Sequence, residues 1–103
     1  MLEKITIEVR IFAYLREIMG KKKFSMTIRK GSTIREFLAL IETQFEMGNK
    51  FVEAVMDSND PLRVRDYIKF IFNGKILSHN KILESTIDTE GDVIAIFPPI
   101  GGG

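Results

Sequence analysis

Cysteine is absent from this chain of 103 residues, which excludes disulfides, thiolate metal sites and a cysteine nucleophile. A single histidine, His79, with no paired metal-ligand spacing argues against a metal centre. No apolar run approaches the roughly 18 residues that a membrane span needs. Neither sign of charge dominates: 15 basic residues face 14 acidic ones, so nothing overall attracts nucleic acid or an anionic membrane, and neither is an expected partner. The opening MLEKITIEVR alternates instead of forming an apolar block; no signal peptide is expected, and the expected compartment is the cytoplasm. Proline is scarce, three in all, yet two of them stand with three glycines in the last six residues.

What is there suffices for one domain with a packed core. Apolar residues make up 45% and aromatics 10%, and a chain of this length buries roughly 60–65% of its unfolded surface. Ile5, Ile7, Val9 and Ile11 alternate with Lys4, Thr6, Glu8 and Arg10, which predicts a strand with one buried face. YLREIMG reads as a short helical turn closed by Gly20, and Phe24, Met26 and Ile28 mark a second strand pairing with the first. The period then changes. Ile34, Phe37, Leu38, Ile41 and Phe45 share a helical face, Thr33 with Glu36 forms a capping box, and Gly48 is the expected stop of this main helix. Residues 49–66 carry weaker signals: KFVEAVM as a helical turn and Asn59-Asp60-Pro61 as a bend. YIKFIFNGKIL is a hairpin turning at Asn73-Gly74, HNKILES a loop or short helical turn, and DVIAIF the last strand. The order is β-β-α-β-β-β with one long helix. The first and last strands, the most continuously apolar, are expected to be central, adjacent and parallel. This is an α+β roll, and the β-grasp (ubiquitin-like) topology is its commonest form: a mixed sheet with one main helix packed across it. The expected organisation is a β-grasp domain over residues 1–97 and a flexible tail over 98–103.

That tail, IFPPIGGG from Ile96 onward, combines stiffness with bareness. Pro98 and Pro99 fix φ near −65° and extend the residue before each, aiming the chain away from the sheet as a short rod. Gly101, Gly102 and Gly103 lack Cβ and so fit a channel too narrow for any other residue. The terminal carboxylate is ionised and unhindered, but a poor acyl donor. Activation as an acyl-adenylate by another enzyme solves that problem, so the tail reads as a substrate. A flexible end or linker is the plainer alternative, against which the directing prolines count.

FPPIGGG resembles the F-P-P-V-A-G-G ending of the MoaD/ThiS family of ubiquitin-like sulfur carriers. In register, Ile100 and Gly101 take the two variable places, and Gly102-Gly103 are the terminal pair. VRIFAYLREIMG resembles the family's opening strand and turn, and GDVIAIFPP its closing strand. The longer connection over 46–66 is similar to the MoaD-like branch described from archaea. The resemblance implies that an E1-like enzyme, using ATP and magnesium, adenylates the Gly103 carboxylate. A sulfur donor then converts it to a thiocarboxylate, which in the MoaD case serves molybdopterin synthase. The chain would then bind no cofactor itself and would not be catalytic alone; it would be the sulfur-donating small subunit. Positions Phe12, Ile76 and Phe97, with the tail residues Pro98 to Gly101, would contact the large synthase subunit.

Strand parity agrees with such a face. If Ile5 to Ile11 claim the core, Phe12 points the other way; Val93, Ala95 and Phe97 oppose Ile94 and Ile96, and Ile71 and Lys69 oppose Phe70 and Phe72. Left uncovered, these residues form an apolar patch of the kind that marks a partner surface; the alternative is a second layer that covers them. Lys21-Lys22-Lys23 reads as a solvated turn, with contact to an acidic partner as the alternative. His79 reads as a surface histidine, and the methionines as core filling. Three functions stay open: a sulfur carrier for molybdenum- or tungsten-cofactor synthesis, a protein modifier joined through Gly103 to lysines, and a plain β-grasp interaction module.

Overall fold

The computed structural model of the chain describes residues 3–99. Alternation is obeyed in β1 (Lys4–Ile11), whose Ile5, Ile7, Val9 and Ile11 are buried while Lys4, Thr6 and Arg10 are exposed. A short helix, α1 (Tyr14–Met19), drops Leu15 and Met19 into the core and stops at Gly20, which adopts the left-handed conformation (φ 73°) that closes a helix cheaply only in glycine. β2 (Lys23–Arg29) then returns antiparallel to β1. After a two-residue strand, β3 (Ser32–Thr33), comes the main helix α2 (Ile34–Gln44). Its capping box is formed: Thr33 Oγ1 accepts from the Glu36 N–H at 3.2 Å, and Glu36 Oε1 accepts from the Thr33 N–H at 2.9 Å.

The main helix is shorter than expected, and the helical turn read over KFVEAVM is part of a helix of its own. α2 ends at Gln44, earlier than predicted, and Phe45 leaves the helix in an extended conformation to pack on Phe24, ring centroids 4.7 Å apart. Gly48 does not stop α2; it opens α3 (Gly48–Val55), which buries Phe51 and Val55. The glycine is needed for close approach: a Cβ there would lie 2.0 Å from the Ile41 carbonyl oxygen. The bend expected at Asn59-Asp60-Pro61 lies earlier. β4 (Met56–Asp57) and β5 (Asp60–Val64) form a separate two-stranded ribbon turning at Ser58-Asn59, where the Asp57 carboxylate accepts from the Asn59 N–H at 2.8 Å. Pro61 sits inside β5, tolerated because the ribbon is all edge.

β6 (Lys69–Phe72) and β7 (Lys75–Ile76) make the predicted hairpin, with positive φ at both Asn73 and Gly74 as a type I′ turn requires. A 3₁₀ turn, His79–Lys81, and β8 (Thr86–Ile87), paired with β3, lead to β9 (Val93–Phe97). His79 is not a free surface side chain: it is half-buried, with Nε2 2.8 Å from the Val64 carbonyl oxygen. The main sheet has the order β2-β1-β9-β6-β7, with β9 parallel to β1 and antiparallel to β6. The first and last strands are thus central neighbours, as their apolar runs predict. Phe37, Leu38 and Ile41 of α2 and Phe51 and Val55 of α3 cluster with the inward residues of β1, β2, β6 and β9, which leaves the opposite sheet face without a covering element among the described residues.

Candidate functional site: an open sheet face at the base of the tail

The parallel pairing of β1 with β9 carries Phe12 and Phe97 to the same end of the sheet. The Phe12 N–H donates to the Ile96 carbonyl at 3.3 Å, extending the ladder past β1. The two rings stack on the open face with centroids 4.0 Å apart and planes 9° from parallel. Each ring is half-buried. Along β9, Val93 and Ala95 continue the apolar line. Ile71, opposite both Ala95 and Ile76, connects it to Ile76, which is 68% exposed at the sheet edge. Phe12 and Phe97 therefore touch, whereas Ile76 stands apart from them, joined to the patch only through Ile71 and Ala95. The polar half of the same face, Lys4, Thr6, Glu8 and Arg10 of β1, bounds the patch. Glu8 pairs with Arg10, and that hydrogen bond lowers the Glu8 carboxyl below its ordinary value.

Arg16 belongs to the site although nothing singled it out in the sequence. Its guanidinium carbon lies 4.9 Å from the Phe12 ring centroid, and its Nε donates to the Ile11 carbonyl at 2.6 Å. Phe12 precedes α1, so the helical four-residue spacing rule does not apply to the pair, and no sequence pattern marks the contact. Between them Ala13 holds φ 54° and ψ −137°, a conformation rare outside glycine that costs of the order of 1–3 kcal/mol; it turns Phe12 to the open face and Leu15 to the core. Beside this end, Arg65 Nη2 donates to the Glu53 carbonyl at 3.0 Å and Nη1 lies 3.4 Å from the Tyr67 hydroxyl. Burial raises the Tyr14 phenol above its ordinary value, Tyr67 adds to the rise, and Arg65 opposes it.

The chain does not leave the sheet at once. Pro98 is buried and Pro99 exposed, so the first proline still belongs to the body of the fold. The positions expected to react or to follow the tail, Ile100, Gly101, Gly102 and Gly103, lie outside the described residues. Among the described residues no group of acidic or histidine side chains could hold a metal ion, and no helix is long and apolar enough to cross a membrane.

A mixed five-stranded sheet wrapped on one face around a capped helix, with a bare apolar face beside the last strand, defines a β-grasp, ubiquitin-like protein. Solved structures agree: SAMP1 from Haloferax volcanii has a TM-score of 0.75 at 22% identity, covering 95% of this chain and 99% of its own. A putative molybdopterin converting factor, subunit 1, from Pyrococcus furiosus has a TM-score of 0.66 at 22% identity, covering 93% and 99%. The ThiS family model matches residues 9–103, and the chain belongs to the ThiS family. In sequence it is 26% identical over 98 residues to small archaeal modifier protein 3 of Haloferax volcanii, covering 94% of this chain and 98% of that protein.

Proposed function

We propose that this chain is a carrier whose C-terminal Gly103 is activated by an E1-like enzyme and loaded with sulfur for molybdenum- or tungsten-cofactor synthesis. The observation that carries this reading is the stacked Phe12–Phe97 pair on an open apolar face, directly before Pro98 and Pro99. An apolar face beside a glycine tail lets a partner grip the body while the tail enters its active site. In the proposed chemistry a Gly103 carboxylate oxygen attacks the α-phosphate of ATP and pyrophosphate leaves. The activating enzyme supplies the ATP and magnesium site. Sulfide then attacks the acyl carbon and displaces AMP, leaving a thiocarboxylate; from a persulfide donor the product of that attack is an acyl disulfide, which a thiol reductant must cleave to release the thiocarboxylate. Glycine suits the last positions because no side chain obstructs the channel or the acyl carbon. Residues 98–103 act as the tail in this scheme, with Pro98 as its anchor.

A second reading, a protein modifier joined through Gly103 to lysines, is supported by the relative named as a small archaeal modifier protein. Both readings need the same activated tail and part at the acceptor. The test supplies thiocarboxylated chain to the large synthase subunit with a pterin precursor, and separately isolates adducts of the tagged chain from its host. Sulfur transfer to the pterin supports the carrier. A ladder of lysine adducts with no transfer overturns it in favour of the modifier.

A further inference from the structure

The far edge of the sheet bears a feature that tail chemistry does not use. Ile11 N–H donates to the Lys22 carbonyl at 2.9 Å and Lys30 N–H to the Glu3 carbonyl at 2.8 Å. Antiparallel alternation between these two pairs makes the even-numbered residues of β2 the ones bonded to β1. The N–H groups of Lys23, Ser25, Thr27 and Arg29 therefore point outward, with the carbonyls of Lys23, Ser25 and Thr27; the Arg29 carbonyl is taken by Ser32 Oγ at 2.7 Å. β2 is an edge strand, and it has neither a proline nor a bulge to blunt it. Its core-side margin offers the half-buried Phe24–Phe45 pair as an apolar shelf.

Charge says what fits there. The stretch GKKKFSMTIRKG, residues 20–31, holds five cations and no acid in a chain whose net charge is only +1. Lys30 lies 3.8 Å from Glu3, but Lys21, Lys22, Lys23 and Arg29 have no carboxylate within 4.0 Å among the described residues. Antiparallel pairing of two copies through β2 would set Lys23 of one against Arg29 of the other, a like-charge opposition that disfavours a homodimer. We propose that the free edge of β2 is a docking strand for an extended peptide with apolar residues at its centre and acidic residues flanking them. The peptide adds a sixth strand by main-chain bonds to Lys23, Ser25, Thr27 and Arg29, lays an apolar side chain on Phe24 and Phe45, and places its carboxylates by the lysine run. The surface is separated from β9 by β1 and does not depend on activation of Gly103.

The test uses the full chain and a fluorescein-labelled heptapeptide, Asp-Asp-Val-Ile-Val-Asp-Asp, followed by anisotropy and by amide shifts in NMR. Expected are saturable binding that weakens with salt, shifts concentrated at residues 23–29, and no binding of the peptide with Lys in place of Asp. Lys21→Glu, Lys22→Glu and Lys23→Glu together should weaken binding about tenfold or more, as the loss of three rim ion pairs implies. Thr27→Pro, which removes one outward donor and leaves the β1 ladder intact, should weaken it also. No binding, equal affinity for the triple variant, shifts centred on Phe12 and Phe97, or sedimentation of the parent chain as a β2-linked dimer would each overturn the proposal.

Discussion

Replacing Gly48 by alanine should destabilise the fold severely for one methyl group. The added Cβ would lie 2.0 Å from the Ile41 carbonyl oxygen, 2.8 Å from its carbon and 3.0 Å from Glu42 Cα. All three are backbone atoms of α2, so no side chain can rotate away. Relief requires α3 to move off α2, loosening Phe51 and Val55, both 0% exposed. Overpacking of this kind costs about 1–3 kcal/mol, with the upper half appropriate where backbone meets backbone. A helix-propensity gain of up to about 1 kcal/mol opposes it, less at the first residue of a helix. The net loss is about 2 kcal/mol, a fall in melting temperature of about 8–15 °C for a domain of this size. Thermal unfolding followed by circular dichroism measures it. A variant that melts at or above the parent temperature would refute the close-approach role of this glycine.

Phe97→Ala should cost folding only about 1 kcal/mol, since the ring is half-buried and loses chiefly its stack on Phe12, yet weaken binding of the large synthase subunit by about 2 kcal/mol or more in calorimetry, as an aromatic anchor does. Asn73→Asp keeps the acceptor for the Val93 N–H (2.8 Å) but loses the donor to Asp92 Oδ1 (2.9 Å), setting two carboxylates together where Asp92 is buried. Chemical denaturation should show a loss of about 1–3 kcal/mol, while Asn73→Ser should cost less. Tyr14 is the remaining tyrosine in Tyr67→Phe, and its phenolate absorbance should rise at higher pH in the folded chain than after unfolding in urea. A raised folded value means that the stability it contributes is complete below the unfolded value and is lost as pH climbs through the folded one.

Period-two alternation made β1 and β2 legible, because each has one buried face; β9, buried at Ile94, Ala95 and Ile96, was legible from its apolar run, and the adjacency of β1 and β9 followed from the same runs. The Thr33–Glu36 box and the Asn73-Gly74 turn are local chemistry and appear in the structure as read. α3 was legible only as a helical turn over KFVEAVM: eight residues with Phe51 and Val55 inward give too short a period to mark the whole helix, and Gly48 looks like a stop. Its role depends on how closely α3 crosses α2, which no local pattern encodes. At the site, parity sufficed to put Phe12 and Phe97 on one face. It could not show that Ile76 connects to them through Ile71, which needs the β6–β7 register, nor that Pro98 is buried. Arg16 was hidden because its contact with Phe12 depends on the unusual turn at Ala13.

Everything proposed for the tail converges on one atom group, the carboxylate of Gly103. Intact and top-down mass spectrometry of the chain, incubated with an E1-like enzyme, ATP, magnesium and a sulfur donor, tests it directly. The predicted result is an acyl-adenylate at Gly103 that gives way to a species with one oxygen replaced by sulfur at the same residue. Gly103→Ala should remain folded and be poorly activated, because the added methyl obstructs the channel and restricts φ at the reacting residue. An unchanged mass in the parent chain, sulfur located anywhere but Gly103, or a Gly103→Ala chain adenylated as fast as the parent would contradict it.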